Sequence, residues 1–191
     1  MSTTTLDHRI KKADFDTLAH EVVGSSVSKT WSAAVTEWEV VALQEDPSAH
    51  GVCVCGQTGL VKLFTIRNSL NGRELHPIGS VCVNEFGRKD LDQQVTVFSY
   101  LFALRSAVIA GERVTLTAQY FSRAVLEWFY AQGVFTPDHW NRGDGAHDYD
   151  FLLKMFNKRD KDSISRAQRR KISLLLRQKV FPFIQADDRL K

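Results

Sequence analysis

The sequence predicts an α+β fold, mostly helical, with a small β-hairpin module set into it. Three observations carry this reading. Beyond about residue 90, apolar residues recur at helical spacing almost without interruption. Between residues 50 and 87 the pattern changes to β-rich runs separated by Gly-bearing turns, with a hairpin signal at Asn71-Gly72. Three cysteines, Cys53, Cys55 and Cys82, bracket that β-rich stretch. The pattern divides the chain into N-terminal helices and a strand (1–49), a hairpin module (50–90), and a helical region ending in a basic helix (91–191).

Each element has a local reason. Phe15, Leu18, Ala19 and Val22 lie at helical spacing and predict a helix over 10–23, broken by Gly24-Ser25-Ser26. Thr30 is placed to cap a short helix carrying Trp31, Ala34 and Val35. Residues 38–43 read as a strand, stopped by the polar, Pro-bearing run after Glu45. Residues 60–66 and 74–76 read as hairpin strands, and 81–86 as a short helix closed by Gly87. Residues 95–109 are apolar on nearly every side, which predicts a buried helix. A helix is expected over 117–131, with Tyr120, Phe121, Val125 and Phe129 on one face and Gly133 ending it. Residues 134–147 form a polar loop of a length that is often functional. Helices over 149–158 and from about 166 to 179 follow. Ser165-Arg166-Ala167-Gln168 resembles a capping box, and the run around Pro182 is expected to end the last helix.

Composition excludes several classes. Of 191 residues, 43% are hydrophobic and 25% charged, the balance of a globular chain rather than a disordered one. No apolar run approaches ~18 residues, so no membrane helix is expected. The first residues lack an apolar stretch that would mark secretion. Three cysteines cannot close a disulfide framework, so the expected home is a reducing cytoplasm. No P-loop, nucleophile elbow, His-Glu-x-x-His or dinucleotide fingerprint occurs, and no small-molecule substrate is evident.

The near-neutral total of +3 hides an asymmetry. Residues 1–153 carry 13 Lys/Arg against 18 Asp/Glu, whereas residues 154–191 carry 12 against 4. The basic segment could pair with the acidic body or present a positive face to phosphates or an acidic protein.

The thiols point to a metal. Cys53-Val54-Cys55-Gly56 is a tight turn, and Cys82 follows at the start of a helix across the hairpin. Zn²⁺ favours four soft or borderline ligands in a tetrahedron, and a helix start lowers the pKa of a nearby thiol. Three cysteines leave a fourth ligand to find. His50 is favoured because a local loop reaches the ion with little topological demand, and His76 is the reserve. The alternatives are three reduced cysteines buried as small hydrophobes, or another metal.

This order of knuckle, hairpin and helix resembles a treble-clef zinc finger. It departs from that pattern in having one residue between the first two cysteines and one visible ligand on the helix. Together with Pro77-Ile78-Gly79-Ser80-x-Cys82 and Phe86-Gly87, the Cys53-x-Cys55-Gly56 turn also resembles a segment of uncharacterised proteins from phages and mobile bacterial elements. That resemblance spans about residues 38–90 and implies a metal-stabilised accessory protein; a closed four-ligand site has no open position, so the zinc is expected to be structural.

Two further regions carry candidate function. Arg166, Arg169, Arg170 and Arg177 share one stripe of the last helix, with Ile172, Leu175 and Leu176 towards the other side. Such a stripe suits phosphates or carboxylates. Only Gln168 and Gln178 accompany it, so sequence-specific base reading is not expected. Asp138, His139, Asp144, His147, Asp148 and Asp150 could hold a hard cation for phosphodiester hydrolysis, although Asp148 also suits a helix cap. The leading expectation is a non-enzymatic, zinc-stabilised binding protein of phage or mobile-element type that acts on nucleic acid or a nucleoprotein complex. The alternatives are an anti-CRISPR-like inhibitor that binds a host defence nuclease and, behind it, a metal-dependent nuclease.

Overall fold

A computed structural model describes residues 10–191. The fold is α+β with helices predominating. Its elements are α1 (Lys12–Ser25), α2 (Trp31–Ala34), β1 (Trp38–Glu45), β2 (Gly51–Val52), β3 (Thr58–Leu60), β4 (Lys62–Asn68), β5 (Glu74–Ile78), α3 (Ser80–Asn84), α4 (Lys89–Ile109), α5 (Arg123–Ala131), α6 (Ala146–Asn157), α7 (Arg166–Leu175) and α8 (Phe181–Ala186). A 3₁₀ turn, Val35–Glu37, leads into β1, and a π turn, Leu176–Val180, joins α7 to α8.

Two compact units are present: residues up to Phe98 together with Lys191, and residues 99–190. The boundary falls inside α4. The divisions at 49/50 and 90/91 expected from the sequence do not separate compact units. Strand pairing is the reason, since β1 from the first segment lies beside β4 of the second.

In the first unit β1, β4 and β5 form an antiparallel sheet in the order β1-β4-β5. Trp38 faces Asn68 and Leu43 faces Phe64 across β1 and β4, while Phe64 faces Ile78 across β4 and β5. A bulge between Val40 and Ala42 shifts the alternation, so that Trp38 and Val40 are buried and then Leu43. Phe64, Ile66 and Ile78 complete the buried face, and Leu18 and Val22 of α1 are fully buried too. Each such side chain contributes roughly 1.5–3 kcal/mol on leaving water. The Asn71-Gly72 turn forms as expected: Asn68 Oδ1 accepts from the N–H groups of Leu70 and Asn71.

The second unit buries Leu101, Leu104, Phe121, Leu126, Phe129, Leu152, Val180 and Ile184. Phe183 meets Trp128 and Phe129 edge-on. Ser165 and Gln168 form the expected capping box at the start of α7.

Several boundaries differ from expectation. α1 runs through Gly24 to Ser25, because Ser26 closes it by donating to the Val22 carbonyl at 2.7 Å. Thr30 occupies the N-cap position of α2 without a side-chain cap bond. α4 has an exposed side, with Ile109 58% exposed, instead of being buried all round. α5 begins at Arg123, six residues late, because the Ser122 side chain caps it by accepting from Val125 N–H. Pro182 opens α8 rather than ending the helix, since the first helical turn needs no proline N–H.

Glu37 supplies an unforeseen polar anchor. It is 4% exposed and accepts from Asn68 Nδ2 at 2.6 Å and from the N–H groups of Val27 and Ser28 at 2.8 Å. Burial pushes its carboxyl upward, but the bonds from Asn68, Ser28 and Val27 prevail and hold it at about 2. The depressed folded value means that its stabilisation is complete above the unfolded value of about 4.3 and is lost as pH falls towards 2. Glu37→Gln is therefore expected to lower the melting temperature at neutral pH and to flatten its decline between about pH 4 and 2. Thermal melts across that range check this, and an acid limb as steep as that of the parent chain would refute it.

Candidate functional site

The thiol turn is built by a two-stranded knuckle. β2 and β3 pair antiparallel around it, Cys53 N–H donates to the Gln57 carbonyl at 2.8 Å, and Gly56 N–H donates to the Cys53 carbonyl at 2.7 Å. Gly56 has φ +95°, a conformation that a side chain resists, which is why glycine follows the second thiol. Val54 N–H donates to the Pro77 carbonyl at 2.9 Å and ties the turn to β5. Two residues after Pro77, Gly79 precedes α3, which carries Cys82.

The three sulfurs converge. Cys82 Sγ lies 3.5 Å from Cys53 Sγ and 3.3 Å from Cys55 Sγ, and all three lie within 4.8 Å of one another. All three residues are buried and unbridged. A tetrahedral site with metal–sulfur bonds of about 2.3 Å has sulfur–sulfur edges of about 3.8 Å. A thiophilic ion therefore fits after an opening of a few tenths of an ångström. The cluster is able to hold a metal ion.

Its electrostatics are uneven in a way that suits a cation. The Cys82 thiol beside Cys53 stabilises a thiolate there, burial opposes it, and the N–H groups of Cys55 and Gly79 assist, so Cys53 sits at about 5. Burial pushes Cys55 up, and Cys82 is driven up by Cys53 and by burial. Cys53 is thus the readiest of the three sulfurs to carry charge.

The described residues bring together three ligands and not four. His50 is exposed, with its N–H on Asp46 Oδ2 at 2.9 Å. His76 is exposed on β5, its Nδ1 2.9 Å from Thr65 Oγ1. Neither joins the converging group.

The arginine stripe faces solvent. Arg166, Arg169, Arg170 and Arg177 are exposed, while Ile172, Leu175 and Leu176 are buried and dock the helix. Arg169 folds back to donate to the carbonyls of Ile164 at 3.1 Å and Lys161 at 2.8 Å. Among the described residues none of the four pairs with a carboxylate.

The His/Asp loop has a different use. Asp148 is buried within the first turn of α6 and does not cap it; the N-cap is Gly145. Its Oδ2 accepts from Lys179 Nζ at 2.8 Å and from Asn141 Nδ2 at 3.0 Å, and Lys171 Nζ lies 3.4 Å from its Oδ1. Asp138 takes the same Lys179 at 2.7 Å, and this ammonium, helped by the loop N–H groups, holds its carboxyl below the usual range. His147 Nδ1 meets the Asn141 carbonyl at 2.8 Å. These acids serve lysines, and the loop's residues form no converging metal-ligand group among the described residues. Sequence reasoning missed Lys179 because its partners lie 31 residues or more away along the chain.

No family model matches the chain, and neither the curated proteins nor the solved structures compared with it give a match. No helix among the described residues is long and apolar enough to cross a membrane.

Proposed function

We propose that this chain is a non-enzymatic, zinc-stabilised nucleic-acid-binding protein of phage or mobile-element type, acting in a reducing cytoplasm. The observation that carries the reading is the arginine stripe, exposed on a helix whose opposite side is docked and free of carboxylate partners among the described residues. Guanidinium groups that serve no internal ion pair are available to phosphates. Zinc is the metal of choice for three converging thiols because it prefers sulfur and needs no redox partner. The order of knuckle, hairpin and helix supports a treble-clef-like role for the ion, which holds a small hairpin that is marginal alone. Phosphate-directed binding without base readout fits a stripe of arginines with few amide side chains beside it.

Arg166→Glu combined with Arg170→Glu tests the proposal. Exposed ion pairs are worth about 0–1 kcal/mol, so folding should stay nearly intact. Affinity for nucleic acid of arbitrary sequence should fall about tenfold or more, and the slope of log K against log salt should shrink by about one per phosphate contact removed. Salt-dependent titrations and thermal melts read both. An unchanged affinity with a lowered melting temperature would assign the arginines to the fold. Tight association with a host nuclease, without affinity for nucleic acid alone, would replace this reading with the inhibitor.

A further inference from the structure

The loop between α5 and α6 displays a tryptophan. Trp140 is 86% exposed, the most exposed of the large apolar residues described. His139 stands edge-on to it with ring centroids 5.6 Å apart, and Arg142, also exposed, follows two residues later.

The loop that presents it is tied by its own hydrogen bonds. Asp138 Oδ1 accepts from Trp140 N–H at 2.7 Å and from Asn141 N–H at 2.9 Å, while Asn141 Oδ1 accepts from Asp138 N–H at 2.8 Å. Asn141 is 1% exposed and donates to the Thr136 carbonyl at 2.9 Å. Gly145 closes the loop against Phe135 so tightly that a Cβ there would lie 1.8 Å from the Phe135 carbonyl oxygen.

The same bonds place the loop beside the basic helix. Lys179 joins Asp138, the Thr136 carbonyl and Asp148, and Lys171, next to Arg170, reaches Asp148. An exposed aromatic ring is thus pinned to the segment that carries the arginine stripe, in a unit whose residues 99–190 hold 15 Lys/Arg against 10 Asp/Glu. Aromatic faces set among cations suit single-stranded nucleic acid, whose unpaired bases stack while the cations follow its backbone. A protein pocket would accept the indole equally well, but it would gain nothing general from the unit's excess of Lys/Arg.

We infer that Trp140 is a stacking platform for an unpaired base, so that the ligand of this surface is single-stranded rather than duplex nucleic acid. The inference rests on the nucleic-acid reading above and narrows it. The probe is a short oligothymidylate, titrated against the parent chain, Trp140→Ala, Trp140→Phe and the Arg166→Glu/Arg170→Glu variant, with a duplex of equal length as competitor. Trp140→Ala should bind about tenfold more weakly with an unchanged melting temperature, the loss expected when one stacked base is given up. Trp140→Phe should keep most of the affinity and lose much of the fluorescence quenching seen in the parent chain. Equal affinity of Trp140→Ala and the parent, alongside weakened binding by the arginine variant, would overturn this inference alone. So would a duplex that competes as well as the single strand. No binding of either nucleic acid by the parent chain would overturn both readings.

Discussion

Replacing Cys82 with serine is expected to abolish the proposed metal binding and to lower the melting temperature by at least ~10 °C. Cys82 is the central sulfur, 3.5 and 3.3 Å from its two partners, and it is fully buried. A hydroxyl there is a poor ligand for a thiophilic ion, so metal and packing are lost together. Structural zinc binds with an apparent energy of order 10 kcal/mol, and much of that is folding energy. Elemental analysis of protein purified without added metal should give one zinc per parent chain and none for the variant. A chelator should bring the parent down to the variant's melting temperature. Absence of stoichiometric zinc, or a parent chain indifferent to the chelator, would end the proposal.

Lys179→Met should destabilise the second unit by about 3 kcal/mol or more. The Lys179 side chain is 10% exposed and its ammonium lies between Asp138 and Asp148, whose side chains are 33% and 2% exposed. Burial works against its charge, but the two carboxylates outweigh burial and raise its pKa. Methionine fills similar space and removes the charge, leaving Asp148 with the more distant Lys171 at 3.4 Å. Removing one partner of a buried pair costs far more than the pair contributes, because the remaining charge loses its compensation. Adding Asp148→Asn to Lys179→Met should therefore recover part of the loss. Denaturant unfolding of the parent, single and double variants measures this, and a double variant no more stable than the single would refute it.

Features set by a few neighbouring residues were legible in the sequence. The capping box at Ser165, the turn at Asn71-Gly72 and the exposed arginines of α7 and the π turn after it all follow from local spacing, and all occur where that spacing puts them. The thiols were legible as a group because cysteine in a tight turn, followed by cysteine at a helix start, has few other uses. The fourth ligand was not legible, since the proximity of His50 in sequence says nothing about where the β2–β3 knuckle turns it. Asp148 misled for a related reason. Its position suited a cap, but Lys179 and Asn141 compete for the same carboxylate and bind it. Ser122 likewise displaced an earlier helix start near Thr117, because a side chain that satisfies Val125 N–H sets the first turn.

The π turn at Leu176–Val180 acts as a phase adjuster between two helical segments. A side chain in an α-helix advances by about 100° per residue, so widening one turn resets every position beyond it. Arg177 and Lys179, both within that turn, end up with opposite fates: one stays in water, and the other reaches two carboxylates. Positions two residues apart on a helical path already point to nearly opposite sides, so Arg177 is offered outward and Lys179 inward. The extra residue that the wide turn holds is what keeps Phe183 of α8 against Trp128 while Lys179, inside the turn, meets Asp148.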